Sequence, residues 1–423
     1  MPESDELVRY KQAIKDYIFS NCTRMLREPK GCLRYPFIVA GSVYFDDLWD
    51  WDSWLTDIAL RQAYSECGHL DKDSLIEYEK GCVLNFLSAC TDDGWIPIVI
   101  NVNDDYSTIR DKHSKMGKNM HKPILAQHAA FISLQSGSFT WLKDFLSRLE
   151  AFLNMYEREF FHPCGLYFWK DDFAIGVDND PSIFYRPENS CGSIYLNTFL
   201  YRELLAFSLI KEQFSGKAAA LPWVKKAECL KDKINELCWD ERDGLYYSVD
   251  LNLRPIDPNA FLHKNAPRHW DTVIMRLDNW SNFLPLWAGI AAPVQAERVI
   301  RGHILNPRTF NAEYGIRTLS RLEKMYNLRA SNNPSNWLGP IWGISNYLTF
   351  RGLIRYGYDD QARELAYKTI KLFGRDIEKC GEMHEYYNPD TGEPIIHPGF
   401  QNWNLLVLNM IAWLENRPVI TEY

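Results

Sequence analysis

Six long connections, beginning near positions 29, 92, 161, 239, 305 and 380, recur along this chain, and the helical segments between them are joined by tight turns. An interval of roughly 60–80 residues reads as a repeated helical-hairpin unit. Apolar residues at helix spacing start at Leu7, Tyr10, Ile14, Tyr17 and Ile18, and further helices are expected over about Trp49–Glu66 and Asp73–Ala89. Two more follow Pro123, split near Ser136-Gly137, and a pair spans Ser193–Phe214 and Ala218–Leu237. Phe283–Ala291 and Val294–Ile304 flank Pro293, and Ile341–Arg355, Ala362–Phe373 and Asn402–Trp413 complete the set. One short hairpin is expected within Tyr35–Tyr44, and another where Asp243-Gly244 lies between Trp239 and Tyr246. Antiparallel pairs with short turns at one end place every long loop at the other. Six such pairs closed in a ring would bury their apolar stripes inward. The expected fold is therefore all-α, an (α/α)6 barrel or six-hairpin toroid with long loops and small β-hairpins on one face. An open superhelix shares the alternation. No Ser/Gly-rich linker divides the chain, so 1–423 reads as one domain although length alone favours more.

Charge and composition narrow the function. The net charge is −8 with no basic run interleaved with aromatics, which argues against nucleic acid. No apolar segment is long enough to span a bilayer, and the acidic start Met1-Pro2-Glu3-Ser4-Asp5-Glu6 lacks the apolar core of a secretory signal. The ten cysteines form no Cys-x-x-Cys pair and read as buried thiols in a cytoplasmic protein. His113, His121 and His128 follow no recognised ligand spacing, so no metal is expected. Aromatic residues make up 14%, with 15 Trp. Most fill the core; the remainder suit a sugar site, where ring faces stack on pyranose C–H faces.

Two carboxylates stand in loops rich in chemistry. Asp178 lies in Gly176-Val177-Asp178-Asn179-Asp180-Pro181, between Trp169 and Tyr185. Glu385 lies in His384-Glu385-Tyr386-Tyr387-Asn388-Pro389, where aromatic surroundings tend to raise a carboxyl pKa. An acid and a base on opposite sides of a sugar bond are what glycoside hydrolysis requires. Asp-Asn-Asp-Pro equally suits a plain turn, and Glu385 equally suits a loop ion pair. Trp49-Asp50-Trp51-Asp52-Ser53 opens the second helix, either as a cap or as a grip on sugar hydroxyls.

An ordered set of motifs resembles glycoside hydrolase family 63, in particular its compact mannosylglycerate/glucosylglycerate hydrolase-like members. The resemblance is carried by Trp51-Asp52-Ser53, Gly176-Val177-Asp178-Asn179, Trp239-Asp240 with Gly244-Leu245-Tyr246-Tyr247, and Phe283-Leu284-Pro285-Leu286-Trp287-Ala288-Gly289. It continues through Tyr314-Gly315-Ile316-Arg317, Trp337-Leu338-Gly339-Pro340-Ile341-Trp342, Glu385-Tyr386-Tyr387-Asn388-Pro389 and Phe400-Gln401-Asn402-Trp403. It implies the (α/α)6 barrel, with Asp178 as general acid and Glu385 as general base of an inverting α-glycosidase. Tyr44, Trp51, Asp52, His121, Asn179, Trp337, Gly339, Trp342 and Trp403 then become substrate-binding candidates.

On that resemblance the expected substrate is a small α-glucoside or related α-glycoside, with a glycosylglycerate or a disaccharide as options. No cofactor is expected, the partner is a small carbohydrate, and oligomeric state stays open. A trehalase-like hydrolase, a phosphorylase, a sugar epimerase and a non-catalytic carbohydrate-binding protein are the alternatives. Inversion implies carboxyl groups roughly 6.5–9.5 Å apart. Asp178 is expected to have a raised pKa from burial and from its partner's charge. Two departures fall near the expected pocket: Leu338 where many relatives have Arg, and His121-Lys122-Pro123 where Gln-Pro-Pro is usual. Asn101–Met120 reads as a lid, and Arg186 and Arg268 as residues facing the pocket that suit an anionic aglycone.

Overall fold

Outer and inner helices alternate along the chain. The computed structural model describes residues 4–423 apart from 69, 110–116, 260, 263, 265, 267 and 330–334. Helix α1 (Asp5–Asn21) is outer and α2 (Asp50–Glu66) inner. Helix α3 (Lys72–Ala89) leads through the single turn α4 (Tyr106–Ile109) to inner α5 (Leu125–Ser136), and α6 (Leu146–Glu159) leads to inner α7 (Ile194–Ser215). Outer α8 (Lys217–Leu237) precedes the short inner α9 (Leu284–Ala288). Outer α10 (Pro293–Val299), prolonged by a π turn over Ile300–Ile304, precedes inner α11 (Gly343–Arg355). Outer α12 (Asp359–Cys380) precedes α13 (Val407–Leu414), which is entered through a 3-10 turn over Asn402–Leu406.

The inner helices close a ring. Helix α13 packs on α2 and α11, α11 on α9, α9 on α7, and α7 on α5. His128 Nε2 lies 2.9 Å from Asp57 Oδ2 and ties α5 back to α2. The result is the (α/α)6 barrel, with outer helices such as α12 laying one apolar stripe (Leu365, Ala366, Thr369, Ile370, Phe373) against it. At Gly374 of α12 an added Cβ would lie 2.4 Å from Tyr10 Cβ, so α1 and α12 approach more closely than a larger residue permits.

Inner helix α2 is buried almost throughout although its sequence is rich in polar residues. Its polar side chains reach neighbours on other elements. Asp50 holds Lys122, Thr56 Oγ1 donates to Asn402 Oδ1 at 3.0 Å, and Gln62 Nε2 donates to the Pro418 carbonyl at 3.2 Å. Arg61 forks onto Glu79 of α3, both buried, with Nε 2.7 Å from Oε1. Buried polar groups keep their place only when so satisfied.

Tight turns lie at the far end, and long loops gather at the other, stitched by strands of two or three residues. Asp47–Trp49 pairs with Val99–Asn101, and Ile341–Trp342 with Tyr386–Tyr387, placing Trp342 opposite Tyr386. The expected hairpin at Trp239–Asp240 and Leu245–Tyr246 is present. The one expected within Tyr35–Tyr44 is not: Phe37–Ile38 pairs with Leu26–Arg27, while Ser42–Tyr44 makes a 3-10 turn and Gly41 bridges Phe400. Helix α12 runs further at both ends than its apolar stripe, because Asp359 and Asp360 occupy its first turn and Gly381 ends it at φ +76°. Helix α9 stops early where Gly289 turns left-handed at φ +73°. In the expected lid, Asn101 is in a strand and Tyr106–Ile109 form a helical turn, while 110–116, including His113, fall outside the described residues.

Removing one member of the Arg61–Glu79 pair strands a buried charge. Arg61→Ala is therefore expected to lower the unfolding free energy by about 3–5 kcal/mol. Urea denaturation measures this, and a loss below about 1 kcal/mol, the scale of an exposed pair, would contradict it.

Candidate active site

The Asp178 turn is bolted to its surroundings on three sides. Gly176 has φ +93°, and an added Cβ would lie 2.7 Å from Lys122 Cε and 2.8 Å from Trp51 Cζ2, so only glycine lets the turn press on those side chains. Asp180 accepts from the Ser182 amide at 2.8 Å, the Ser182 hydroxyl at 2.7 Å and Asn279 Nδ2 at 3.0 Å, fixing the turn to the fourth long loop. Asn179 Oδ1 accepts from the Trp337 amide at 2.8 Å and its Nδ2 donates to Asn336 Oδ1 at 3.1 Å, fixing it to the fifth. Asp178 is left facing a cavity of about 640 Å³.

Glu385 reaches the same cavity from the sixth loop. Its amide donates to the Ile396 carbonyl at 3.1 Å, and the next two residues pair with Ile341–Trp342. Behind it, buried Asp376 Oδ2 lies 2.9 Å from His384 Nδ1 and accepts from the Tyr387 hydroxyl at 2.7 Å, holding the segment rigid. The Glu385 carboxyl is hydrogen-bonded to His397 Nδ1 and lies 3.4 Å from the Tyr44 hydroxyl. His397 itself sits at φ +53°, an uncommon conformation for a residue other than glycine.

Burial raises the pKa of both carboxyls. For Asp178 burial is opposed by a hydrogen bond from Ser335 and the charge of Lys122, and the charge of Asp172 adds to the rise. For Glu385 burial is opposed by the His397 hydrogen bond and charge, then by Tyr44, while the charge of Asp178 pushes upward. A third carboxyl, Asp52, is carried up to about 8 by burial, with Lys122 pulling down and Asp50 pushing up. Asp52 accepts from Asn402 Nδ2. Burial, then the charge of Glu385, keeps the Tyr44 phenol protonated.

Aromatic rings build the walls. Trp337 and Trp342 stack with centroids 4.1 Å apart and planes 7° apart, and Tyr386 continues the stack at 4.8 Å. Trp51 meets Trp403 edge-on at 5.2 Å. Five of the 15 tryptophans line the cavity, so part of the aromatic excess belongs to it.

Asp178, Glu385, Tyr44, Trp51, Asp52, Trp337, Trp342 and Trp403 thus converge on one cavity. Three expected binding residues do not line it. Asn179 is spent holding Trp337, as above. Gly339 is a backbone position at φ +132° where an added Cβ would lie 2.4 Å from the Tyr326 ring. His121 is sandwiched edge-on between Phe86 and Phe152, and burial lowers its pKa to about 4, so it is a neutral core residue. Arg186 and Arg268 also point elsewhere: Arg186 Nη2 is 2.7 Å from Asp250 Oδ2, and Arg268 Nη1 donates to the Arg254 carbonyl at 2.6 Å. The lining also includes Lys122, Asp172, Phe184, Tyr185 and Ser335, none of them expected as binding residues, and His397 supports Glu385 from behind. Among the described residues no group of three or more His, Cys, Asp or Glu is placed to hold a metal ion, and no helix is long and apolar enough to cross a membrane.

Residues 46–403 match the model of the mannosylglycerate hydrolase MGH1-like glycoside hydrolase domain. The cytosolic neutral trehalase of Kluyveromyces lactis is 29% identical over 222 residues, covering 49% of this chain and 26% of that protein. Mannosylglycerate hydrolase MGH1 of Selaginella moellendorffii is 32% identical over 112 residues, 26% of this chain and 20% of that protein. The chain thus spans about a quarter or less of the length of these relatives. In three dimensions it is similar to a GH63 mannosylglycerate hydrolase from Thermus thermophilus solved in complex with glucose, with a TM-score of 0.67 at 16% identity over 92% of this chain and 99% of that one. Neutral trehalase Nth1 from Saccharomyces cerevisiae gives 0.64 at 16% identity over 90% and 74%.

Because Asp52 binds its proton more tightly folded than unfolded, its contribution to stability falls as pH rises from its ordinary 3.8 toward about 8. Asp52→Asn copies the protonated shape without that loss. The variant is expected to gain thermal stability over the parent, more at pH 8 than at pH 5. Melting curves at the two pH values measure the difference, and equal gains would contradict it.

Proposed function

We propose that this chain, which belongs to the mannosylglycerate hydrolase MGH1-like glycoside hydrolase family, cleaves a small α-glycoside with inversion at the anomeric carbon. The observation that carries this reading is the meeting of Asp178 and Glu385, from two different long loops, on one tryptophan-walled cavity. We read 1–423 as one catalytic unit, and its cytoplasmic placement follows the cytosolic trehalases it resembles.

Inversion needs one carboxyl protonated and the other ionised. Glu385 has a direct hydrogen bond from His397, which adds a positive charge whenever that ring is protonated. The cation that opposes the rise at Asp178 is Lys122, whose ammonium is committed to Asp50 at 2.8 Å. On this reading the proton is assigned to Asp178, on the turn fixed by Asn179 and Asp180, and the charge to Glu385, which is hydrogen-bonded to His397. Asp178 passes its proton to the glycosidic oxygen as the bond from the anomeric carbon to that oxygen breaks. Glu385 takes a proton from a water whose oxygen bonds to the opposite face of the same carbon. The donor sugar leaves with inverted configuration, and the two carboxyls recover their starting states by exchange with solvent. Trp51, Trp337, Trp342 and Trp403 offer ring faces and edges to the pyranose, while protonated Asp52 donates to a hydroxyl. Acid, base and water suffice, so the step calls on no cofactor.

Asp178→Asn and Glu385→Gln are each expected to lower kcat by several orders of magnitude while KM moves little. A screen of α-linked disaccharides and glycosylglycerates supplies the substrate, and NMR at early times reads the product. The β-anomer is expected first; early α-anomer, or full activity in both variants, contradicts the reading. His397→Ala removes the group that holds the Glu385 pKa down, so the acidic limb of kcat/KM is expected to move to higher pH. An unmoved limb would leave His397 a purely structural residue.

A further inference from the structure

We infer that Phe184 and Tyr185 form the aglycone subsite of this cavity and that they select a neutral ring, a second sugar, over an anionic acid. This rests on the hydrolase reading above and names the leaving group that reading leaves open. Tyr185 lines the cavity yet is 88% exposed, an unusual state for a large aromatic side chain. Its backbone sits at φ +59°, which costs a residue with a bulky side chain conformational energy and recurs at ligand-binding positions. That conformation is held: the Tyr185 amide donates to Asp172 Oδ2 at 3.2 Å, and the Phe184 amide donates to the Asp180 carbonyl at 2.8 Å. The two rings lie 4.1 Å apart with planes at 40°, making one apolar rim wider than either.

Position along the chain decides which part of the substrate this rim meets. The rim begins a few residues after Asp178, and the Asp180 carboxyl and carbonyl brace the turn between them. The proton donor faces the leaving oxygen, so a platform carried on the same rigid turn meets the leaving group rather than the donor sugar. Charge decides the class. Asp172, beside Tyr185, is a lining carboxyl whose neighbour Asp171 already engages Lys118 at 2.8 Å, and among the described residues the lining cation, Lys122, is committed to Asp50. A carboxylate aglycone resting on this rim would face Asp172. A pyranose would lay its C–H face on the rings and donate its hydroxyls to that carboxylate.

The test compares parent, Tyr185→Ala, Tyr185→Phe and the Phe184→Ala/Tyr185→Ala double variant. Substrates are α-linked glucose disaccharides, glucosyl- and mannosylglycerate, and α-glucosyl and α-mannosyl fluoride, whose leaving group has no ring. For the parent, a disaccharide is expected to exceed the glycerates in kcat/KM. The ratio of kcat/KM for that disaccharide to kcat/KM for the matching fluoride is expected to fall about tenfold in Tyr185→Ala, through KM, further in the double variant, and little in Tyr185→Phe. Equal losses on disaccharide and fluoride, or a parent that prefers a glycosylglycerate, overturn the inference while leaving the hydrolase reading standing. A parent that cleaves neither fluorides nor glycosides overturns both.

Discussion

The cavity depends on one buried ion pair. Asp50, at the start of α2, accepts from the Trp51 amide at 2.7 Å, the Lys122 amide at 2.8 Å and the Lys122 ammonium at 2.8 Å. Three donors on one carboxylate tie the second long loop to the mouth of the inner ring. The Lys122 stem and the Trp51 ring then form the floor on which Gly176 rests. Were either side chain elsewhere, the Asp178 turn would have no fixed height above the barrel. Such a pair contributes little net stability, since desolvation offsets attraction. What it contributes is a single position for a loop that would otherwise have several.

The same pair sorts the carboxyls of the site. Asp50 is met by three donors, one of them an ammonium. Asp52, two residues on and facing the cavity, is carried up to about 8 by burial, with a hydrogen bond from Asn402 opposing the rise. Glu385 has His397 and Tyr44. Asp178 has a hydrogen bond from Ser335 and the charge of Lys122. Carboxyls crowded into one low-dielectric space disfavour one another's charge. Burial pushes Asp52, Asp178 and Glu385 upward, and each has different partners opposing the rise. The proposed acid–base chemistry at a glycosidic bond requires such carboxyls to differ in charge.

Much of this was legible in the sequence, for reasons that are local. Loop spacing reports the ring because helical hairpins repeat, and the turn residues Gly176, Asp178 and Pro181 report a rigid loop because few residues tolerate its backbone. Whether a residue beside such a motif faces the cavity is another matter, since it turns on contacts from distant segments. Asn179 reads as a sugar ligand until Trp337 is seen to need its carbonyl. Gly339 reads as part of a binding loop until Tyr326 fills the space above it. His397 carries no signal at all, because its role arises from a left-handed backbone that brings it to Glu385. Arg186 and Arg268 look free in sequence and are engaged in space, by Asp250 and by the Arg254 carbonyl. The expected hairpin at Tyr35–Tyr44 fails similarly: Phe37–Ile38 finds its partner upstream at Leu26–Arg27, and the following turn is claimed by Phe400.

The segment from Gly176 to Tyr185 shows how a ring fold concentrates function in few residues. Val177 is buried in the core, Asp178 faces the cavity, Asn179 locks the tryptophan wall, Asp180 braces the next loop, and Phe184 with Tyr185 forms the rim. The segment that carries Asp178 also holds the wall, through Asn179 and Trp337, and the rim, through the Asp180 carbonyl and the Phe184 amide. Changing the rim ring at Tyr185 leaves those bonds in place, since they run through backbone and the side chains before it. A loop so built allows the exposed rim to vary while Asp178 stays where the barrel puts it.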